Sequence, residues 1–167
     1  HGPEAVALRS LVAEALSWRA STAEAKGLVL RRDMPAHLKP LVTDAGKLRQ
    51  VLINRVGNAI KFTSAGEVVV RVTADSGTHE AREIIVSDTG IGIPPDRISR
   101  VFDPFEQGDA STRRAFGGTG LGLSIVKTFA GMMGDTVEVR STIGVGLTFT
   151  LRRGLPLRLE SARRDPS

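Results

Sequence analysis

The sequence predicts a two-layer α/β sandwich, one mixed and mainly antiparallel sheet with helices layered on one face. Three observations predict it. Apolar residues recur at helical spacing over residues 5–25, 44–62 and 120–133. Other stretches, such as 67–74 and 147–152, alternate apolar and polar residues as half-buried strands do. The resulting order α-β-α-β-β-α-α-β-β places hairpins between helices, which favours one sheet under one helical layer.

Each element has its own signal. Residues 5–25 carry Val6, Leu8, Leu11, Val12, Leu16 and Trp18 among Ala and Glu, an amphipathic helix that Gly27 ends. Residues 28–32 read as a short strand closed by Met34-Pro35, and residues 36–43 as a loop containing Pro40. A second helix runs from Asp44, a plausible N-cap, to Phe62. Its apolar positions are Leu48, Val51, Leu52, Val56, Ala59 and Ile60, while Asn54, Asn58 and Lys61 share another face at i, i+4 and i+7. Gly66 turns the chain into a strand over 67–74, with Val68, Val70 and Val72 on one side. Residues 83–88 make the second strand of a hairpin. Pro94-Pro95 opens a short helix ending near Phe102, and residues 103–118 form a long polar loop of the kind that is usually functional. A helix over 120–133 and strands over 136–141 and 147–152 follow. Residues 5–153 are expected to form one domain, with 154–167 as a linker or tail.

Bulk composition narrows the function. The chain has 167 residues, enough for one domain with a real core. It has no Cys, which excludes disulfides and Cys-ligated metals. No run of about eighteen apolar residues and no secretory signal is visible; a soluble cytoplasmic domain is expected, either free or part of a membrane-anchored protein. The net charge is +5, but the arginine pairs are scattered and there is one Trp and no Tyr to stack bases. A nucleic-acid module is disfavoured on those criteria.

Four short segments carry the chemistry. They are Asn54 to Lys61, Asp88-Thr-Gly90-Ile-Gly92-Ile93-Pro94, Phe102-Asp-Pro-Phe105, and Gly117-Gly118-Thr119-Gly120-Leu121-Gly122-Leu123-Ser124. A carboxylate at a strand end, Asp88, can accept a hydrogen bond from an amine. Gly90 and Gly92 let the backbone approach a flat ligand. Asn58 offers a hard carbonyl oxygen suited to Mg2+, and Lys61 is a point charge within reach of a phosphate. The last segment lacks the lysine of a phosphate-binding P-loop, but runs small residues into a helix start, where free N–H groups favour an anion. Blander readings stay open: an Asp-Thr-Gly turn, a solvated helix face, core packing for Phe102 and Phe105, and solvated loop charge for Arg113 and Arg114.

In their order the segments resemble the N, G1, F and G2 boxes of the histidine kinase catalytic domain, an ATP-binding module of the GHKL (Bergerat) class. The resemblance covers residues 5–153. It implies that Asp88 accepts from the adenine amino group and that Asn58 is the Mg2+ ligand, supported by Asn54. It implies that Lys61 and Arg114 face phosphate, so that Asn54, Lys61 and Arg114 serve transfer. It implies that Gly90, Gly92, Ile93, Phe105, Gly118, Thr119, Gly120, Leu121, Gly122, Leu123 and Thr148 complete the nucleotide pocket and its lid. Gly144-Val-Gly146 resembles the last glycine box, with Leu147 where the family usually has Ser or Thr.

The position four residues before Asn58 separates branches of the superfamily. The ATPases and the serine-directed kinases carry Glu there, whereas Asn54 cannot act as a general base. The expected function is therefore Mg-ATP binding and γ-phosphate transfer to a histidine on a separate dimerisation domain, with a receiver domain downstream as in hybrid sensor kinases. The acceptor segment of the family is absent, and His1, His37 and His79 read as bystanders. The isolated domain is expected to be a monomer. Two departures stand out. Arg55 replaces an apolar residue and must snorkel or pair, which keeps a degenerate, non-transferring scaffold as the alternative. Asp135 replaces a common turn Gly, a harmless change if it only has to tolerate left-handed backbone.

Overall fold

The computed structural model describes residues 3–90 and 119–154, and the side chains of its last helix from Ser124 onward. The helix expected after Pro94 and the loop over 103–118 lie outside these residues.

The chain opens with a short strand, β1 (Glu4–Val6), and helix α1 (Leu8–Trp18). Leu8, Leu11, Val12, Ala15 and Leu16 form the buried stripe of α1, spaced as one helical face requires. The helix expected over 5–25 is thus divided. Its first residues pair as a strand, and Arg19, at φ −121°, separates α1 from α2 (Ala20–Lys26). Trp18, expected on the apolar stripe, is exposed because it is the last helical residue before that break. Gly27 (φ 73°) closes α2, its N–H bonded to Glu24 O and that of Leu28 to Ala23 O, a Schellman ending.

Strand β2 (Val29–Asp33) follows, then β3 (Leu41–Thr43). The loop expected over 36–43 therefore ends in a strand, which pairs antiparallel with β1 as a separate two-stranded sheet. Leu41 and Thr43 point inward and Val42 outward, an alternation too short to register in the sequence. Helix α3 (Ala45–Phe62) starts at Asp44, whose carboxylate accepts from Lys47 N at 3.0 Å. At its far end Lys26 Nζ donates to Ile60 O and Lys61 O, both at 2.8 Å. A lysine from α2 thus satisfies carbonyls that the end of α3 would leave orphaned, at the negative pole of its dipole.

The main sheet comprises β2, β4 (Glu67–Ala74), β5 (Ala81–Asp88), β6 (Thr136–Thr142) and β7 (Gly146–Arg152), in the order β2-β4-β5-β7-β6. Among the described strands only the β2–β4 pairing is parallel. Helix α3 packs between α1 and a helix α4 (Thr119–Met132), and α3 and α4 lie over the sheet. The core between the layers holds Leu48, Leu52 and Ile60 from α3, Val68 and Val70 from β4, Ile84 from β5, and Phe149 and Leu151 from β7. Burying one such side chain contributes about 1.5–3 kcal/mol.

One buried polar contact ties the ends of the fold together. Arg153 forms an ion pair with Asp135 at 2.8 Å, and also donates to Thr43 Oγ1 and Val42 O. Asp135 accepts from Gly154 N as well. The left-handed residue of this turn is Gly134, not Asp135. Asp135 is therefore the anchor of Arg153 rather than a tolerated turn residue.

Candidate functional site

The site forms where the last turns of α3 meet the end of β5. Asn54, Asn58 and Lys61 descend one face of α3; both asparagines are half-buried and Lys61 is exposed. Asp88 ends β5 between Val68 of β4 and Leu147 of β7. Its Oδ1 accepts from Gly90 N at 2.7 Å and from Leu147 N at 3.4 Å. The second carboxylate oxygen receives no hydrogen bond of ordinary geometry from a described residue. Burial pushes the Asp88 carboxyl above its usual range. The N–H groups of Gly90 and Leu147, the Arg55 charge and the Thr63 hydroxyl pull the other way.

Thr63 matters here and was not anticipated. Its hydroxyl is fully buried beside Asp88, close enough to favour the ionised carboxylate, yet no well-formed hydrogen bond closes on it. A buried hydroxyl without a partner is rare in a native fold and calls for an explanation. The sequence signal available was only its position directly after the helix.

Two glycines make the junction possible. A side chain at Gly90 would meet Phe62 O at 2.6 Å and Thr63 Oγ1 at 2.9 Å. Its first service is thus to let β5 pass under the end of α3. Gly146, at φ 143°, would place a Cβ 2.0 Å from Asp88 O, so the β6–β7 turn can approach Asp88 only as glycine.

Thr148 does not join this group. It pairs with Ser87, and the period of two puts both on the sheet face away from the helices. Leu147 packs against the core beside Phe149 and Leu151, and its N–H is what touches Asp88. Of the two, it is Leu147 that shares the sheet face of Asp88.

On α3 the two asparagines are linked, Asn58 Nδ2 donating to Asn54 Oδ1 at 3.3 Å. Asn58 is left with its carbonyl oxygen, a hard donor of the type Mg2+ prefers. Arg55 is neither snorkelled nor exposed. It is buried, donates Nε to Asn54 Oδ1 at 2.9 Å and a terminal N–H to the same oxygen, and lies over the Phe149 ring at 5.8 Å. Burial pushes its guanidinium down to about 10, and the Asp88 carboxylate opposes the shift, so it stays charged at neutral pH. Helix α3 runs unbroken through it.

Thr119, Gly120, Leu121, Gly122 and Leu123 form the first turns of α4, where a helix leaves N–H groups without intrahelical partners and its dipole favours an anion. Gly92, Ile93, Phe105, Arg114 and Gly118 lie outside the described residues. Among those described, no group of three or more His, Cys, Asp or Glu gathers that could hold a metal alone.

Residues 43–158 match the model of the histidine kinase-, DNA gyrase B- and HSP90-like ATPase family. The chain belongs to this family. Within it the curated relatives are histidine kinases. The chain is 44% identical over 130 residues to hybrid signal transduction histidine kinase A of Dictyostelium discoideum, covering 72% of this chain and 6% of that protein. It is 41% identical over 174 residues to the sensor histidine kinase AruS of Pseudomonas aeruginosa, covering 99% of this chain and 17% of that protein. The chain therefore spans a small fraction of these relatives. Among solved structures, full-length ShkA in complex with AMPPNP superposes with a TM-score of 0.75 at 33% identity, over 93% of this chain and 33% of that one. The catalytic domain of histidine kinase ThkA shares the fold, with a TM-score of 0.72 at 20% identity over 92% of this chain and 96% of that one. The mixed sheet under one helical layer is the fold of the family's histidine kinase catalytic domains. No helix of the described residues is long and apolar enough to cross a membrane.

Proposed function

We propose that the domain binds Mg-ATP and delivers the γ-phosphate to a histidine on a separate dimerisation domain of the same kinase. The observation that carries this is the Asp88 carboxylate, one oxygen pinned by two backbone N–H groups and the other left for an incoming amine. Adenine presents such an amine and guanine, at the same position, an acceptor.

Asp88 and Thr63 hold the base; Asn58, supported by Asn54, holds the metal end; Lys61, Arg114 and the start of α4 hold phosphate. The nucleotide supplies the transferable phosphoryl group, and Mg2+ neutralises its charge. Asn54 supplies no base, so water is not activated, and a neutral imidazole needs no base at that position. Catalysis then rests on positioning and charge stabilisation. We take residues 5–153 as the catalytic unit, a monomer when isolated and cytoplasmic because ATP is there. A receiver domain downstream is the inferred recipient of the phosphoryl group, by analogy with the hybrid relatives.

The scaffold alternative rests on Arg55, which could loosen α3, and on the absence of a phosphoacceptor segment in this chain; the structure bears on the first ground alone. The intact helix, its cap at Asp44 and the preserved Asn54–Asn58 pair argue against it. The test is transfer of labelled γ-phosphate to a supplied cognate dimerisation domain. Phosphohistidine formation lost in Asn58→Ala supports the reading. ATP binding without any transfer returns the scaffold, and rapid release of free phosphate returns an ATPase.

A further inference from the structure

We propose that Arg55 is a positioning residue that fixes the orientation of both site asparagines, and through them aims the Asn58 carbonyl at the metal. This rests on the nucleotide-binding reading above and deepens it.

The argument is one of donors and acceptors. An amide side chain looks nearly the same either way round, so each asparagine has two orientations to choose between. Arg55 has donors only. Its Nε and one terminal N–H both meet the Asn54 amide, so the atom facing it must be the oxygen. That oxygen also receives Asn58, so the atom Asn58 presents must be its nitrogen. Asn58 Oδ1 is then directed away from Asn54 and left without a donor on α3. An apolar residue at position 55 would leave Asn54 free to flip, and Asn58 could follow. The flipped pair would turn an N–H group toward the cation, which repels it.

Arg55 is itself fixed. It is 5% exposed, with its guanidinium over the Phe149 ring and its charge facing Asp88. The planar fork donates along two directions at once, which a lysine ammonium on a flexible stem does not reproduce.

The experiment compares wild type with Arg55→Leu and Arg55→Lys in the 167-residue chain. AMPPNP binding is measured by calorimetry with MgCl2 and with EDTA, and the side-chain amide resonances of Asn54 and Asn58 are followed by NMR. In Arg55→Leu the expected result is a loss of about ten-fold in the Mg2+-dependent gain in affinity, the scale of a lost outer-shell partner. Binding in EDTA holds within about two-fold, and the two amide signals broaden as the side chains flip. Arg55→Lys falls between. An unchanged Mg2+ gain with sharp, unshifted amide signals in Arg55→Leu overturns the proposal, even if its Tm differs. If Arg55→Leu does not fold, wild type decides. The Arg55 Nε–H resonance should shift when MgCl2 is added to the AMPPNP complex, and an unmoved resonance overturns the proposal. Failure of wild type to bind AMPPNP under either condition removes the nucleotide reading itself, and this inference with it.

Discussion

Asp88→Asn swaps a carboxylate for an amide of the same shape, and the structure dictates how that amide must sit. Gly90 N and Leu147 N both donate to Oδ1, so the new side chain keeps its oxygen there. Its NH2 group then occupies the free position. A donor faces the adenine amino group, also a donor. The lost charge-assisted hydrogen bond costs about 1.5–3 kcal/mol, and the unsatisfied buried donor a further ~1–3 kcal/mol. Together about 2.5–6 kcal/mol corresponds to a roughly seventy- to 25,000-fold weaker Kd for Mg-ATP. The same NH2 would suit the guanine oxygen, so the ratio of GTP to ATP affinity should rise. Stability moves the other way. Folding raises the Asp88 pKa, so its contribution is fully present below the ordinary value of 3.8 and is lost as pH rises through the folded value. At neutral pH the half-buried carboxylate is therefore a burden that the amide removes. The variant should unfold at a temperature no lower than wild type at pH 7, with its relative advantage shrinking in acid. Calorimetry with ATP and GTP, beside thermal unfolding at pH 7 and at pH about 4, reads both arms. ATP affinity within about three-fold of wild type would refute the pinned-oxygen argument.

Thr63→Val removes the unpaired hydroxyl without changing volume, so stability should hold or rise by up to about 1 kcal/mol, while ATP affinity falls roughly five- to ten-fold if that hydroxyl meets the base. Chemical denaturation and calorimetry on one sample separate the two. Lys26→Met strips the cap from α3 and should cost about 1 kcal/mol. Hydrogen exchange should quicken at its last turn and not at Ala45–Phe62 as a whole. Asp135→Ala leaves Arg153 buried without its carboxylate, a loss of about 3 kcal/mol. That is a fall in Tm of about 6–12 °C for a domain of this size, with ATP affinity per folded molecule unchanged.

The sequence was most readable where one periodicity governed a long element. The apolar positions named on α3, from Leu48 to Ile60, are all buried, and Val68, Val70 and Val72 of β4 share the core. The hairpin joining β4 to β5 and the cap at Asp44 were likewise legible. Short or interrupted elements were not. Three residues of β3 give no countable alternation, and the break at Arg19 has no proline or glycine to announce it. Side-chain destinations set by tertiary contact were also hidden. Nothing local says that Arg55 folds inward onto Asn54 and Phe149, that Lys26 crosses to the end of α3, or that Asp135 waits for Arg153. At Thr148 the motif spacing says nothing of strand parity, which puts Leu147 and not Thr148 on the Asp88 face.

The Arg153 contact gives the domain one more property. Val42 and Thr43, which hold β1 in its small sheet, bond the same guanidinium that closes the end of β7. Residues 4 and 154 are thereby brought to one corner of the molecule. A short flexible bridge can join them, and new ends opened at the Ser76-Gly77 turn would leave every strand pairing of the main sheet intact. The two ends of the described domain are thus tied at one corner by the contacts of Arg153, away from the Asp88 end of the sheet.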